Sequence, residues 1–230
     1  YSPEMADLSR DDLFDNLNLP LLVATSVCMP EKIQKNLITF VKKGGRLLLA
    51  PVIPDLDENF NPCPLLQEFL GGAYAEALRQ VAPSVNVGSI GSIPVEGVWQ
   101  AKNIPAGAER LGVEECSGAT IGWKLDIPGG GRIIWLVLQW KHTKTEHSRM
   151  IKFLLAELGY TSPVLECDNP NIWVSLHRFG EKQMLFAMNL FTAPMEAQIK
   201  VRGGKGGGAS FDTGRFSIGP IEVKWFEIGG

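Results

Sequence analysis

The chain has 230 residues, with 22 Lys and Arg against 25 Asp and Glu, a formal net charge of -3 and 45% hydrophobic residues. Ordinary apolar content excludes a disordered chain, and the lack of a basic excess argues against nucleic acid as a partner, since that binding rests on phosphate contacts. At roughly 100–200 residues per domain the length fits one large or two small domains and falls short of the roughly 250 residues of a βα barrel.

The stretch Tyr1–Leu19 is polar, and its first dozen residues lack the apolar core of a signal peptide. Leu21-Leu22-Val23-Ala24-Thr25 is a continuous apolar run, the pattern of a strand covered on both faces. Pro30-Glu31 then opens a helix, because Pro suits the first turn and an acid suits the positive end of the helix dipole. Ile33, Leu37, Phe40 and Val41 keep helical spacing, and Gly44-Gly45 stops the run after Lys42 and Lys43. Arg46–Pro51 is a second apolar strand. Strand, helix and strand within about 30 residues predict a right-handed βαβ unit and a parallel sheet.

Val52–Pro64 reads as a Pro- and Asp-rich loop, Leu65–Leu70 as a short helix, and Tyr74–Gly118 as an irregular segment with several Gly and Pro. Ala119–Ile127 and Gly131–Leu138 read as strands joined by Pro128-Gly129-Gly130. Glu146–Leu158 is an amphipathic helix with Met150, Ile151, Leu154, Leu155 and Leu158 on one face. After Thr161-Ser162-Pro163 the period changes to two. Ile172–Arg178, Lys182–Asn189, Ala197–Val201 and Ile221–Ile228 alternate as strands, Gly203–Gly208 reads as a loop, and Trp173 and Trp225 are expected to fill the interior. The predicted division is therefore residues 1–160, α/β, and residues 161–230, a small antiparallel β-sandwich. The longest apolar run, Ile133–Leu138, is far short of the ~20 residues of a membrane span.

The chemistry-bearing motifs are sparse. Cys28, Cys63, Cys116 and Cys167 show no metal-ligand spacing and do not cluster with His142, His147 or His177, so no metal is expected. No Gly-rich phosphate loop follows a strand and opens a helix, so no nucleotide cofactor is expected. Cys28 follows a strand but lacks the flanking glycines of a nucleophile elbow; a Cys28–His147 pair with Glu146 would make an active hydrolase. Asp55, Asp57 and Glu58, and Glu114-Glu115, are adjacent acids in loops rather than the separated pair that glycoside cleavage uses. Ligands of open α/β sheets bind beyond the carboxyl ends of strands. The segment after Ile133–Leu138 therefore supplies the candidate contact residues Trp140, His142 and His147.

The run Leu21–Glu31, followed by Phe40-Val41-Lys42-Lys43-Gly44-Gly45-Arg46-Leu47-Leu48-Leu49 and the Asn61-Pro62-Cys63 loop, resembles the middle domain of bacterial β-galactosidases of glycoside hydrolase families 35 and 42. Gly131–Leu136 and Leu154–Gly159 are similar to that domain's closing strand and helix, and Val174–Arg178, Leu185–Asn189 and Ile221–Phe226 to the small sandwich that ends such enzymes. The resemblance implies a flavodoxin-like, class I glutamine amidotransferase-like domain with a mainly parallel sheet, truncated at its N-terminal side, and then the sandwich. Catalysis in that family belongs to a barrel whose acid/base sits in an Asn-Glu dipeptide, and no such dipeptide occurs here. The resemblance thus implies a non-catalytic accessory fragment, with no catalytic residue of its own. Its partners would be the missing barrel of a parent chain and, in an oligomer, further copies; a cytoplasmic location is favoured. The alternatives are a Cys/His hydrolase and a carbohydrate-binding module.

Overall fold

The computed structural model describes residues 8–9, 21–78, 84–139, 145–160, 165–179, 182–202 and 210–228. The chain divides into two compact units, one over Ala6–Tyr160 and one built on Thr161–Gly230. The expected loop at Gly203–Gly208 lies outside the described residues.

The first unit begins with the expected βαβ element. Strand β1 (Leu21–Ala24), helix α1 (Glu31–Lys42) and strand β2 (Arg46–Leu49) follow in order, and β1 pairs with β2 in parallel, Leu21 opposite Arg46 and Ala24 opposite Leu49. Helix α1 buries Gln34, Leu37, Phe40 and Val41 and ends at Gly44, whose φ of +100° suits glycine. Helix α2 (Leu65–Phe69) and strands β3 (Tyr74–Ala77), β4 (Ser84–Val87), β5 (Gly91–Pro94), β6 (Trp99–Lys102), β7 (Glu109–Glu114), β8 (Thr120–Ile127) and β9 (Gly131–Leu136) come next, and helix α3 (Thr145–Glu157) closes the unit. Seven strands form one sheet in the order β1-β2-β9-β8-β7-β4-β5, while β3 and β6 pair separately. Leu47–Leu49 and Ile133–Leu136 are buried on both faces of the sheet, which is why both strands read as unbroken apolar runs. Met150, Leu154 and Leu158 of and just beyond α3 complete this core.

This architecture corrects the expected fold class. The protein is mostly β, 47% strand against 17% helix, with three α-helices among the described residues. It is not a flavodoxin-like or amidotransferase-like, mainly parallel sheet. Only β1, β2 and β9 are parallel; β8, β7, β4 and β5 extend the sheet by antiparallel pairing. The Gly- and Pro-containing segment read as irregular supplies strands β3 to β7. Four of them, β3 to β6, are four residues long and show barely two alternations, and β7 is interrupted by Gly112. The register of β7 against β8 shifts on either side of Gly112, and such bulges add twist and curl the sheet.

Two close approaches involve glycines of the mixed sheet, one against the helix and one between neighbouring strands. A Cβ on Gly131 would stand 1.8 Å from the Val41 carbonyl oxygen of α1, and one on Gly122 would stand 2.5 Å from Leu136 Cδ1. Beside them Lys124 donates to Glu157 at 2.6 Å and reaches Glu109 at 2.9 Å, while Arg132 donates to the Glu157 carbonyl at 2.6 Å and pairs with Asp126. The Glu157 carboxylate, foremost, holds the Lys124 ammonium above its usual range. Trp123 and Trp135 meet edge to face with centroids 5.6 Å apart.

The second unit consists of β10 (Leu165–Cys167), β11 (Ile172–Phe179), β12 (Lys182–Asn189), β13 (Met195–Val201), β14 (Phe211–Ile218) and β15 (Val223–Ile228). They form two three-stranded antiparallel sheets, β10-β13-β14 and β11-β12-β15. Ile172, Leu185, Ala187, Ile199, Val201 and Ile218 belong to one core shared by the two sheets. Asn189 is fully buried; it donates to the carbonyls of Ala193 and Gly219, each at 2.8 Å, and so ties two turns together. Trp173 and Trp225 do not fill this interior: they are 58% and 59% exposed. Period two decides it, because Ile172 and Phe226 pack inward and force their neighbours outward.

Gly131→Ala is expected to destabilise the protein by about 2 kcal/mol, because the obstacle is backbone and the hairpin must move away from α1. Chemical denaturation would read the loss, and an unchanged midpoint would show that the hairpin is free to shift.

Candidate functional site

The carboxyl ends of the three parallel strands converge on a cleft of about 270 Å³. Thr25 follows β1, Ala50 and Pro51 follow β2, and Leu138 and Gln139 lie just beyond β9; Glu96, from the β5–β6 connection, and His147, from α3, complete the lining. The edge is held by backbone bonds. Ala50 N–H donates to the Ala24 carbonyl at 3.2 Å, Trp99 N–H to Val137 at 2.8 Å and Gln139 N–H to Gly97 at 2.9 Å. The Trp135 indole donates to the Pro51 carbonyl at 3.1 Å and fixes one wall from below.

Of the three residues named from the sequence, His147 reaches this cleft; Trp140 and His142 lie outside the described residues. His147 is 2% exposed, and its Nε2 stands 2.7 Å from the Pro94 carbonyl. A carbonyl only accepts, so Nε2 carries a proton and donates. The imidazole thereby joins α3 to β5 as well as lining the cleft. Cys28 is not among the cleft residues; it forms an isolated bridge with Leu56, and Ser26 Oγ donates to its carbonyl. Burial pushes the Cys63 thiol up, away from the thiolate form that nucleophilic chemistry needs.

The loop acids are engaged by their own turns. Asp57 accepts from the backbone N–H groups of Asn59 and Asn61, both at 2.8 Å, and the Asn61 bond foremost holds its carboxyl below the usual range. Glu114 is fully buried and accepts from Ser117 N–H and Ser117 Oγ, each at 2.6 Å, in the β7–β8 turn. Glu115 accepts from Ser84 Oγ at 2.7 Å. Among the described residues no cluster of three His, Cys, Asp or Glu side chains could hold a metal ion.

Gln34 is the buried polar residue that sequence reasoning missed. Its amide donates to the carbonyls of Met29 at 3.0 Å and Cys63 at 2.7 Å, and its oxygen accepts from Leu66 N–H at 2.9 Å. One side chain of α1 thus fastens the β1–α1 connection to the end of the loop that enters α2. The available signal was a Gln standing between Ile33 and Leu37 on an apolar helix stripe.

A family described as GLMA-like, second domain, matches residues 1–106, a span that ends before β7. An exo-β-D-glucosaminidase of Thermococcus kodakarensis is 26% identical over 207 residues, covering 87% of this chain and 25% of the relative. One of Pyrococcus horikoshii is 46% identical over 43 residues, 19% of this chain and 6% of the relative. Among solved structures, the β-galactosidase of Bacillus circulans sp. alkalophilus superposes with a TM-score of 0.66 at 18% identity, over 91% of this chain and 33% of that one. A catalytic mutant of Gan42B, a GH42 β-galactosidase from G. stearothermophilus, gives 0.64 at 19% identity over 91% and 32%. These likenesses support a glycoside hydrolase-related domain. The chain spans about a quarter of the length of the Thermococcus relative and a third of the two structures.

Gln34→Ala is expected to cost roughly 3 kcal/mol, since it strands two carbonyls and an N–H in a buried place; urea unfolding measures it. Asp57 has a depressed folded-state pKa, so its contribution to loop stability is present above the unfolded value of about 3.9 and is lost as pH falls through the lower folded value. Carboxyl-detected NMR titration should place Asp57 below an unfolded-peptide reference, and Asn61→Ala, which removes the side-chain amide bond but keeps the backbone N–H, should raise it only slightly.

Proposed function

We propose that this chain is a non-catalytic accessory part of a larger glycoside hydrolase of the glucosaminidase and β-galactosidase kind. In this reading it packs against the catalytic barrel, shapes the substrate entrance or mediates contacts between subunits. The observation that carries the reading is the state of its carboxylates. Glycoside cleavage needs two acids facing each other across a sugar, one kept protonated by an apolar setting. Asp57, Glu114 and Glu115 instead satisfy the backbone of their own turns or a nearby Ser, and among the described residues Glu96 is the one acid lining the cleft. The small share of each relative that the chain covers supports the same view, because the remainder of such a protein has room for a catalytic domain.

The cleft fits this role as a structural edge. Its volume falls just below the roughly 300–1,000 Å³ of ligand pockets, and its histidine already spans two elements. The Cys/His reading finds no support in a Cys28 that stands outside the cleft.

The purified 230-residue chain is expected to release no nitrophenol above buffer from p-nitrophenyl β-D-glucosaminide or β-D-galactoside. Enzyme-dependent release that survives repurification and is lost on Glu96→Gln would overturn the accessory reading.

A further inference from the structure

The outward face of the β11-β12-β15 sheet carries no part of the core, yet it is apolar. Trp173, Met188 and Val223 stand in one cross-strand row, and Ser175, Phe186 and Trp225 in the next. Trp173, Val223 and Trp225 are about half exposed or more, at 58%, 48% and 59%. Among the described residues neither tryptophan indole N–H has a hydrogen-bond partner. Polar groups sit at the same surface. His177 meets the Phe186 ring edge to face at 5.4 Å and lies 3.2 Å from Ser175 Oγ, and Glu227 pairs with Lys182 at 2.8 Å.

We propose that this face is a binding platform for a short oligosaccharide, with pyranose rings laid on Trp173 and Trp225. The electron-rich face of an indole attracts the positively polarised C–H groups of a sugar ring, while the ring hydroxyls need donors and acceptors at the border. Both kinds of group are present, and both indoles keep a free donor. The spacing agrees. The two tryptophans are separated by two strands and offset by two residues, about 12 Å from strand spacing and rise, which leaves room for a sugar ring between two stacked ones. The area decides against a protein partner. Three strands of at most eight residues present about 400 Å², roughly half of the ~800 Å² per partner in a stable protein interface. An elongated ligand a few rings long fits that area. The choice of sugar as ligand class rests on the glycoside hydrolase reading above.

Isothermal calorimetry of the 230-residue chain against short chitosan oligosaccharides and against galacto-oligosaccharides tests the platform. Saturable binding of at least one probe is expected. Trp173→Ala and Trp225→Ala should each weaken it about tenfold, and Trp→Tyr, which keeps a ring, should restore most of it. In the unmodified chain, the bound sugar should also protect both tryptophans from N-bromosuccinimide, a readout that needs no variant to fold. No saturable heat with either probe, binding unchanged in the double alanine variant, or wild-type self-association that the double variant abolishes would each overturn the proposal, the last by giving the face to a second copy. Hydrolysis of either probe would sink the accessory reading and leave the platform standing, so the two failures are distinct.

Discussion

The burial of β2 and β9 on both faces is the constraint from which the first unit follows. Two adjacent parallel strands with no solvent side must be covered above and below, and α1 and α3 contribute Leu37, Phe40, Met150 and Leu154 to that cover. Parallel pairing also points all three carboxyl ends the same way, so the backbone leaving β1, β2 and β9 has to open a recess at that edge. The cleft with His147 is that recess. The Gly131 contact with Val41 is its counterpart at the opposite end of β9, where the hairpin turns under the end of α1.

Antiparallel extension from β8 to β5 gives the sheet a different character on its other wing. Hairpin-linked strands need no crossover helix, so the sheet reaches seven strands with few helices. Bulging at Gly112 curls the wing, and the Lys124–Glu157 and Arg132–Glu157 contacts bind the hairpin to the end of α3. Charged side chains here act as fasteners, as Gln34 does where the chain enters α2. The polar groups that a search for catalysis first notices are mostly committed to holding chain to chain.

The second unit distributes its residues by the rule of two. Small and medium apolar side chains face the shared core, and the two largest aromatics face water. A sheet whose outer side is dominated by Trp, Met, Phe and Val departs from the usual polar exterior, and exposed apolar patches of this kind mark binding surfaces.

The sequence by itself determined the local elements whose signals are strong: the β1–α1–β2 unit from its apolar runs and its Gly44-Gly45 stop, the β8–β9 hairpin from Pro128–Gly130, α3 from its apolar face, and the alternating strands β11, β12, β13 and β15, though not β10 or β14. It also put His147 in the segment that follows β9, because position after a strand is a local property. Tertiary structure alone decided what depends on partners distant in the chain. The strands β3 to β6 are too short to show a period, β7 carries the bulge at Gly112, and all five exist through their pairings. The sense of those pairings, and hence the fold class, is invisible to hydropathy. Alternation separates the two faces of a strand but does not say which one meets the core, so Trp173 and Trp225 were read as interior when the opposing sheet had taken Ile172 and Phe226 instead.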